Sequence, residues 1–396
     1  MRNRKISAVI GCNWGDEGKG LITDYLSSPD TLVVRYNGGS QAGHTVVTPE
    51  GKRHVFHHIG SGSFVSAKTF LSDYFVVNPI IFYEEMKSLV TMGIDPIVYV
   101  DPFCRVTTPY EILINQALEK KRGDNKHGSC GLGFNETIKR SLVYPLYVSD
   151  FLIPREYFKE ILFDIRDRYV IPYIKSIGLQ LEEIPYLYDD KVIENYLDDI
   201  EYMVSKIRIK MGVELLTTWL GDIVFEGAQG LQLDMDNWQF PYVTHSKTGL
   251  SNILNLLQES RLEENLDVYF VTRAYITRHG AGPLPHEYAI DDYLSIVDET
   301  NIENEYQGKM RFSWLDLDYL TRGLILEIGK AKDKQVTFNL AMTCVDQLKS
   351  DEIKYVQDET VKIITIKELF RLLKGEFKFD SILASYGASR NTIVKI

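Results

Sequence analysis

Of 396 residues only four are cysteine (Cys12, Cys104, Cys130 and Cys344), and no two form a Cys-x-x-Cys pair. Such scatter argues against a disulfide frame or a zinc ribbon and suggests reduced thiols in a cytosolic protein. Long apolar runs are missing too. No stretch approaches the ~20 residues that span a bilayer, and the apolar run after Met1-Arg2-Asn3-Arg4-Lys5 is too short for a signal peptide. Positive charge is in deficit: 44 Lys and Arg stand against 55 Asp and Glu, a formal charge of −11. A surface that coats nucleic acid is therefore not expected. Small anions are a separate matter, because a local lysine and backbone donors decide those. Repeats and low-complexity linkers are also absent, so domain boundaries are soft. The expectation is a soluble cytoplasmic protein with neither a nucleic-acid nor a membrane partner.

With 44% hydrophobic content, the chain can bury a large core. Strand-like runs recur at 6–10, 31–36, 54–59, 69–71, 97–100, 222–225, 268–271, 336–340 and 381–384, alternating with helical patterns. Asn78-Pro79 opens one helix, which Gly93 ends, and the capping box Thr108-Pro109-Tyr110-Glu111 opens another. From Pro154 to Met211 the pattern is helical throughout. This predicts an α/β fold with a large, mostly parallel sheet covered by helices on both faces. The whole chain, 1–396, would be one domain with a mainly helical subdomain inserted at about 105–215.

Ligands in such a sheet collect beyond the carboxyl ends of its strands. The glycine-rich stretches fall there: 11–20, 37–45, 226–230, 277–283 and 385–387. The first reads Gly11-Cys12-Asn13-Trp14-Gly15-Asp16-Glu17-Gly18-Lys19-Gly20, between a strand and a helix start. Backbone N–H groups, a helix dipole and Lys19 converge on one small volume that suits a phosphate. It is not a Walker A loop, because Asn13 and Gly20 occupy its first glycine and its Ser/Thr position. Asp16 is unusual there, since a carboxylate repels phosphate unless a metal or chemistry requires it. His44 lies in the adjacent glycine-rich loop, so one site can contain both. A carboxylate and an imidazole can then serve as general base and general acid at the two ends of a conjugated system. His54, His57 and His58 sit in a strand-like run without a carboxylate at ligand spacing, and are expected to be structural.

Five segments together resemble adenylosuccinate synthetase in order and spacing. They are Gly15–Gly20, Gly38-Gly39-x-x-Ala42-Gly43-His44-Thr45, Glu226-Gly227-Ala228-Gln229-Gly230, Pro241-Tyr242-Val243-Thr244, and Thr277-Arg278-x-Gly280-Ala281-Gly282-Pro283. Trp314-Leu315-Asp316 and Ser385-Tyr386-Gly387-x-x-Arg390 match its later landmarks. The resemblance implies a P-loop-like, GTPase-related architecture, a homodimer and a magnesium-dependent ligase. That family joins aspartate to inosinate (IMP) with GTP, through a 6-phosphoryl intermediate. The resemblance implies that Asp16 takes the purine N1 proton and ligates Mg2+, and that His44 polarises the β–γ bridge. Gly15, Glu17, Gly18, Lys19, Gly20 and Thr45 would surround the triphosphate, with the Gly43 carbonyl near the metal. Asp346, Ser385 and Gly387 would hold the guanine base. Gln229 and Thr244 would contact the nucleoside monophosphate.

Departures from the family pattern bear on the substrates. Gln41 stands where Asn usually flanks the monophosphate. Ser129-Cys130 replaces a Thr-Thr pair, so a phosphate-binding hydroxyl becomes a thiol, a poor donor. Arg140 matches loosely an arginine that reaches into the partner subunit's site. Lys309 and Arg311 remain of a run that grips the aspartate carboxylates, and lysine does not replace bidentate arginine freely. Two alternatives follow: the same chemistry on GMP or dGMP, or an idle nucleotide-binding homologue. Phage-type relatives acting on deoxyguanylate typically replace the loop Asp with a small hydroxyl residue, so Asp16 favours a purine lacking the 2-amino group.

Overall fold

The structure is a computed structural model and describes residues 4–123, 129–288, 293–296, 309–332 and 334–396. Its centre is a ten-stranded sheet. In spatial order the strands are Ile393–Lys395, Ile382–Ser385, Val336–Thr343, Leu266–Arg273, Ile6–Gly11, Ile223–Gly230, Leu32–Arg35, Lys68–Leu71, Val98–Val100 and Ile207–Ile209. Every pairing is parallel except that of the last strand of the chain, which runs antiparallel to Ile382–Ser385.

The strand Ile6–Gly11 is buried along its length, as a parallel sheet covered on both faces requires. Ile6, Ala8 and Ile10 join the large core, which includes Ile253, Leu256 and Leu257 of the helix Ser251–Glu259 and Leu320 and Leu324 of the helix Leu317–Lys330. Val9 faces the other way, against Ile22 of the helix Lys19–Leu26. A third body of apolar side chains joins Leu71, Val98 and Val100 at the sheet's edge to Tyr110, Leu162, Tyr196 and Ile200 of the helices between 109 and 206. Each fully buried side chain of this size contributes about 2 kcal/mol.

The capping box forms as expected: Tyr110 N donates to Thr108 Oγ1 at 3.3 Å, and Thr108 N to Glu111 Oε2 at 2.6 Å. The helical reading fails at Ile207–Ile209, which pairs in parallel with Val98–Val100 as the sheet's outermost strand. Three residues of alternating β-branched character carry too little periodicity to be separated from the helix before them. A second sheet of four strands, Tyr275–Arg278, Arg311–Asp316, Glu352–Gln357 and Thr360–Thr365, has no counterpart in the sequence reading. A hairpin of His44–Val47 with Arg53–Phe56 makes His44 the first residue of a strand, not a loop residue.

Candidate functional site

Two cavities meet beyond the carboxyl end of the central strand. One, of about 370 Å³, is lined by Trp14, Asp16, Gln41, Ser129, Cys130, Gln229, Thr244, Arg278 and His279, among others. The other, of about 520 Å³, is lined by Gly18, Gly20, Thr45, Arg273, Asp346, Ser385 and Gly387. Asp16, Lys19, Gly43 and His44 line both. They form the partition between the two.

The first loop is shaped by Glu17. Its Oε1 accepts from the N–H groups of Asn13 (3.0 Å) and Gly15 (2.9 Å), and its Oε2 pairs with Lys19 Nζ at 2.6 Å. The carboxylate expected beside the triphosphate is therefore turned inward, where it orders the turn and holds the lysine. Gly15 lies on the wall of the smaller cavity, not the one holding Asp346. Gly18, at φ 87°, caps the helix Lys19–Leu26, whose first turn lines the larger cavity through Gly18, Lys19, Gly20 and Leu21. A Cβ there would sit 2.9 Å from the Thr343 side chain, so both the turn and the close approach require glycine. Asp16 also has positive φ, 58°, and its carbonyl accepts from Arg273 Nε. Its carboxylate is 28% exposed, open to both cavities.

His44 is buried and donates from Nδ1 to Glu226 Oε1 at 2.7 Å, the carboxylate fixing that tautomer. Glu226 also accepts from Ser61 N at 3.1 Å and from Ser61 Oγ, and lies 4.0 Å from Arg35 Nε. Burial alone would raise its pKa. The neighbouring ring, the Arg35 cation and the Ser61 donors instead hold it at about 2, so it is ionised. Burial, with Arg35 and Lys19 nearby, pushes His44 down to about 4 despite Glu226. The ring is thus neutral near pH 7, and its Nε2 has no partner. A buried nitrogen left open at the partition is a place for a ligand atom.

The smaller cavity holds further unsatisfied amide atoms: both side-chain heteroatoms of Gln41, and Gln229 Oε1. Ser129 Oγ donates to Asn115 Oδ1 at 3.2 Å, and burial drives the Cys130 thiol up to about 11, so it is neutral there. Thr244 is buried on the same wall. In the larger cavity Ser385 Oγ donates to the Gly387 carbonyl at 2.6 Å, and Asp346 projects from the rim as an exposed side chain. The structure thus brings together Asp16, Lys19, Gln41, Gly43, His44, Ser129, Cys130, Gln229 and Thr244, and sets Thr45, Asp346, Ser385 and Gly387 beside them.

Three residues stand elsewhere. Arg140 is fully buried and bonded to Glu111 Oε1 (2.8 Å), Tyr144 O (2.7 Å) and Val106 O (2.5 Å), so its guanidinium is engaged within its own chain and lines neither cavity. A guanidinium with a carboxylate and two carbonyls around it is already satisfied. Arg311 forms a bidentate pair with Glu287 (3.0 and 2.6 Å) and donates to the carbonyls of Gly280 and Gly282, bracing the loop instead of lining the cavity. Lys309 is exposed and lines neither cavity.

Residues to which the sequence reading gave no role complete the walls. Arg278 is buried with no carboxylate partner among the described residues; it donates to Gln239 Oε1 (2.7 Å), Pro283 O (2.8 Å) and Tyr242 O (3.0 Å). Burial and nearby Arg311 lower it to about 10. Trp14 shares Gln239 Oε1, at 2.9 Å. His279 faces Asp16, with Nε2 3.4 Å from Oδ2. Glu226 could have been suspected, because a carboxylate closing an apolar strand needs a buried partner.

Among the described residues no group of three or more His, Cys, Asp or Glu side chains could hold a metal ion, and no helix is long and apolar enough to cross a membrane. Asp16 and the Gly43 backbone at the partition supply hard oxygen donors that would fit Mg2+ once phosphate oxygens complete its shell.

The family profile for adenylosuccinate synthetase matches residues 8–360. The adenylosuccinate synthetase of Acaryochloris marina is 34% identical over 291 residues, 70% of this chain and 62% of the relative. That of Prochlorococcus marinus subsp. pastoris is 32% identical over 384 residues, 93% of this chain and 85% of the relative. In fold, the chain is similar to fully ligated adenylosuccinate synthetase from Plasmodium falciparum (TM-score 0.72, 20% identity, 98% of this chain and 99% of that one). It is also similar to cyanophage S-2L succinoaminodeoxyadenylate synthetase bound to dGMP and dATP (TM-score 0.63, 15% identity, 99% and 95%). The chain belongs to the adenylosuccinate synthetase family of ligases.

Proposed function

We propose that the protein joins L-aspartate to IMP, giving adenylosuccinate, with GTP converted to GDP and phosphate through a 6-phosphoryl intermediate. The observation that carries this reading is the partition: Asp16 and His44 each border both cavities. The smaller cavity takes the purine monophosphate and the larger one the triphosphate, with Asp346, Ser385 and Gly387 around its base.

Asp16 removes the N1 proton, and the charge that develops at O6 makes this oxygen the nucleophile toward the γ-phosphate. Lys19, fixed by Glu17, and the N–H groups at Gly18 and Gly20 balance the phosphoryl charge in transit. An arriving triphosphate raises the pKa of His44, so that Nε2 gains a proton and donates it toward the β–γ bridge as GDP leaves. Mg2+, held by Asp16 and the Gly43 carbonyl, would further neutralise the phosphates. Phosphorylated O6 is then a leaving group that the amine of aspartate displaces. Gln41, Gln229, Ser129, Cys130 and Thr244 hold the monophosphate. Arg278, a buried cation without a carboxylate partner among the described residues, supports an anionic substrate on that side.

We also read 1–396 as one cytoplasmic domain with its helical insertion at about 105–215, acting as a homodimer on the family pattern. The cyanophage relative's dGMP supports a second reading, the same chemistry on (d)GMP, while the retained Asp16 favours IMP. The test is product formation with Mg2+, GTP and aspartate, offering IMP, dIMP, GMP and dGMP in turn. Wild type is expected to use IMP, and Asp16→Ala and His44→Ala to lose turnover while remaining folded. Normal rates in either variant would refute its role.

A further inference from the structure

The motif residues leave the larger cavity short of positive charge. Lys19 lines it, but its ammonium is paired with Glu17 Oε2 at 2.6 Å, so the pair carries no net charge. Asp16 and Asp346 bring further carboxylates to the same walls. Arg53 also lines it, from an exposed position where solvent and salt screen its charge. Arg311 is engaged by Glu287 and lines neither cavity. A phosphate chain bound by this set alone would be poorly neutralised.

Arg273, to which no motif points, lines the same cavity. It ends the strand Leu266–Arg273, which lies between Ile6–Gly11 and Val336–Thr343, and its side chain is half-buried. Neutral oxygens fix the guanidinium: Nε donates to the Asp16 carbonyl, and Nη1 to Tyr275 Oη at 2.9 Å. Tyr275 Oη donates in turn to Gln347 Oε1 at 2.6 Å, and the tyrosine ring centroid lies 5.4 Å from the guanidinium carbon. Among the described residues no carboxylate pairs with Arg273, and its Nη2 has no hydrogen-bond partner. A guanidinium positioned by neutral acceptors keeps its whole charge, and its remaining N–H donors, for an anion. We propose that Arg273 binds the phosphate chain of the nucleoside triphosphate, supplying the positive charge that the Lys19–Glu17 pair does not. This rests on the reading that the larger cavity takes the triphosphate. The fork stands between Asp16 at the partition and, through Tyr275, the turn Val345–Gln347 that carries Asp346. A phosphate chain running from the base to the partition passes it, and phosphate oxygens suit the planar donors of arginine.

The experiment is titration calorimetry of the full chain with GTP and Mg2+, and separately with IMP, for wild type, Arg273→Met and Arg273→Lys. Aspartate is omitted, so no product forms. Arg273→Met is expected to weaken GTP binding by about tenfold or more, the order of one hydrogen bond to a charged group, and to leave IMP binding nearly unchanged. Arg273→Lys, which keeps the charge and loses the fork, is expected to lose less than Arg273→Met. An unfolded fraction lowers the stoichiometry and not the measured constant. Unchanged GTP affinity in Arg273→Met, or an equal loss in Arg273→Lys, overturns the assignment and leaves the reading of the cavity standing. A loss for IMP as large as that for GTP does the same, and would make Arg273 a brace for the Asp16 backbone. A wild type that binds neither GTP nor ATP overturns the reading of the larger cavity and this inference with it.

Discussion

Replacing His44 by Asn should make the protein less sensitive to acid. The ring has a pKa of 6.5 in the unfolded chain and about 4 in the folded one, chiefly because burial disfavours its charged form. Between those values the unfolded state binds a proton that the native state refuses, so stability is full above the upper value and falls as the pH drops. At about pH 5 the ring has lost roughly 1.5 units of that gap, or about 2 kcal/mol at 1.36 kcal/mol per unit. Glu226, held at about 2 against 4.5, adds a loss of its own that begins only below the upper figure. The higher window therefore belongs to the histidine. His54 and His58 are also lowered by burial, but they are common to both proteins and cancel from the comparison. The measurement is equilibrium urea unfolding of wild type and His44→Asn at about pH 7 and about pH 5. The difference in stability between the two should move by about 2 kcal/mol in favour of the variant as the pH falls. A difference that stays constant would show that the imidazole is not held neutral. The account of it as an acid armed only by the arriving triphosphate would then fail.

The same ring should take up close to one proton when GTP binds near pH 7, because the phosphate charge raises a pKa that starts at about 4; calorimetry in buffers of different ionisation enthalpy reads this, and His44→Gln should abolish it. Cys130→Thr restores a hydroxyl at a wall where the thiol is neutral, so the KM for the monophosphate should fall about tenfold if that wall holds the phosphate, as steady-state kinetics will test. Arg140→Met leaves Glu111 buried and uncompensated, at a cost of about 3–5 kcal/mol by urea unfolding, with the substrate KM of the folded enzyme unchanged. A raised KM at undiminished stability would return Arg140 to the substrate site.

Local chemistry made much of this protein legible. Gly18 and Lys19 announce a phosphate-holding turn because positive φ and a helix start are properties of a few consecutive residues. Thr108 and Glu111 announce a cap for the same reason. The alternation of apolar strands and helices yields a parallel sheet, and a parallel sheet puts its loops at one edge. By itself, then, the sequence determined the fold class, the edge where the site lies, and the pairing of Asp16 with His44 in one region. Tertiary structure alone decided what each side chain faces: Glu226 reaching His44 across 182 positions, Glu17 turned toward Lys19, Arg311 spent on Glu287, and His279 set against Asp16. Those partners are chosen by packing between distant segments, where the need to satisfy a buried charge outweighs any preference written in its neighbours.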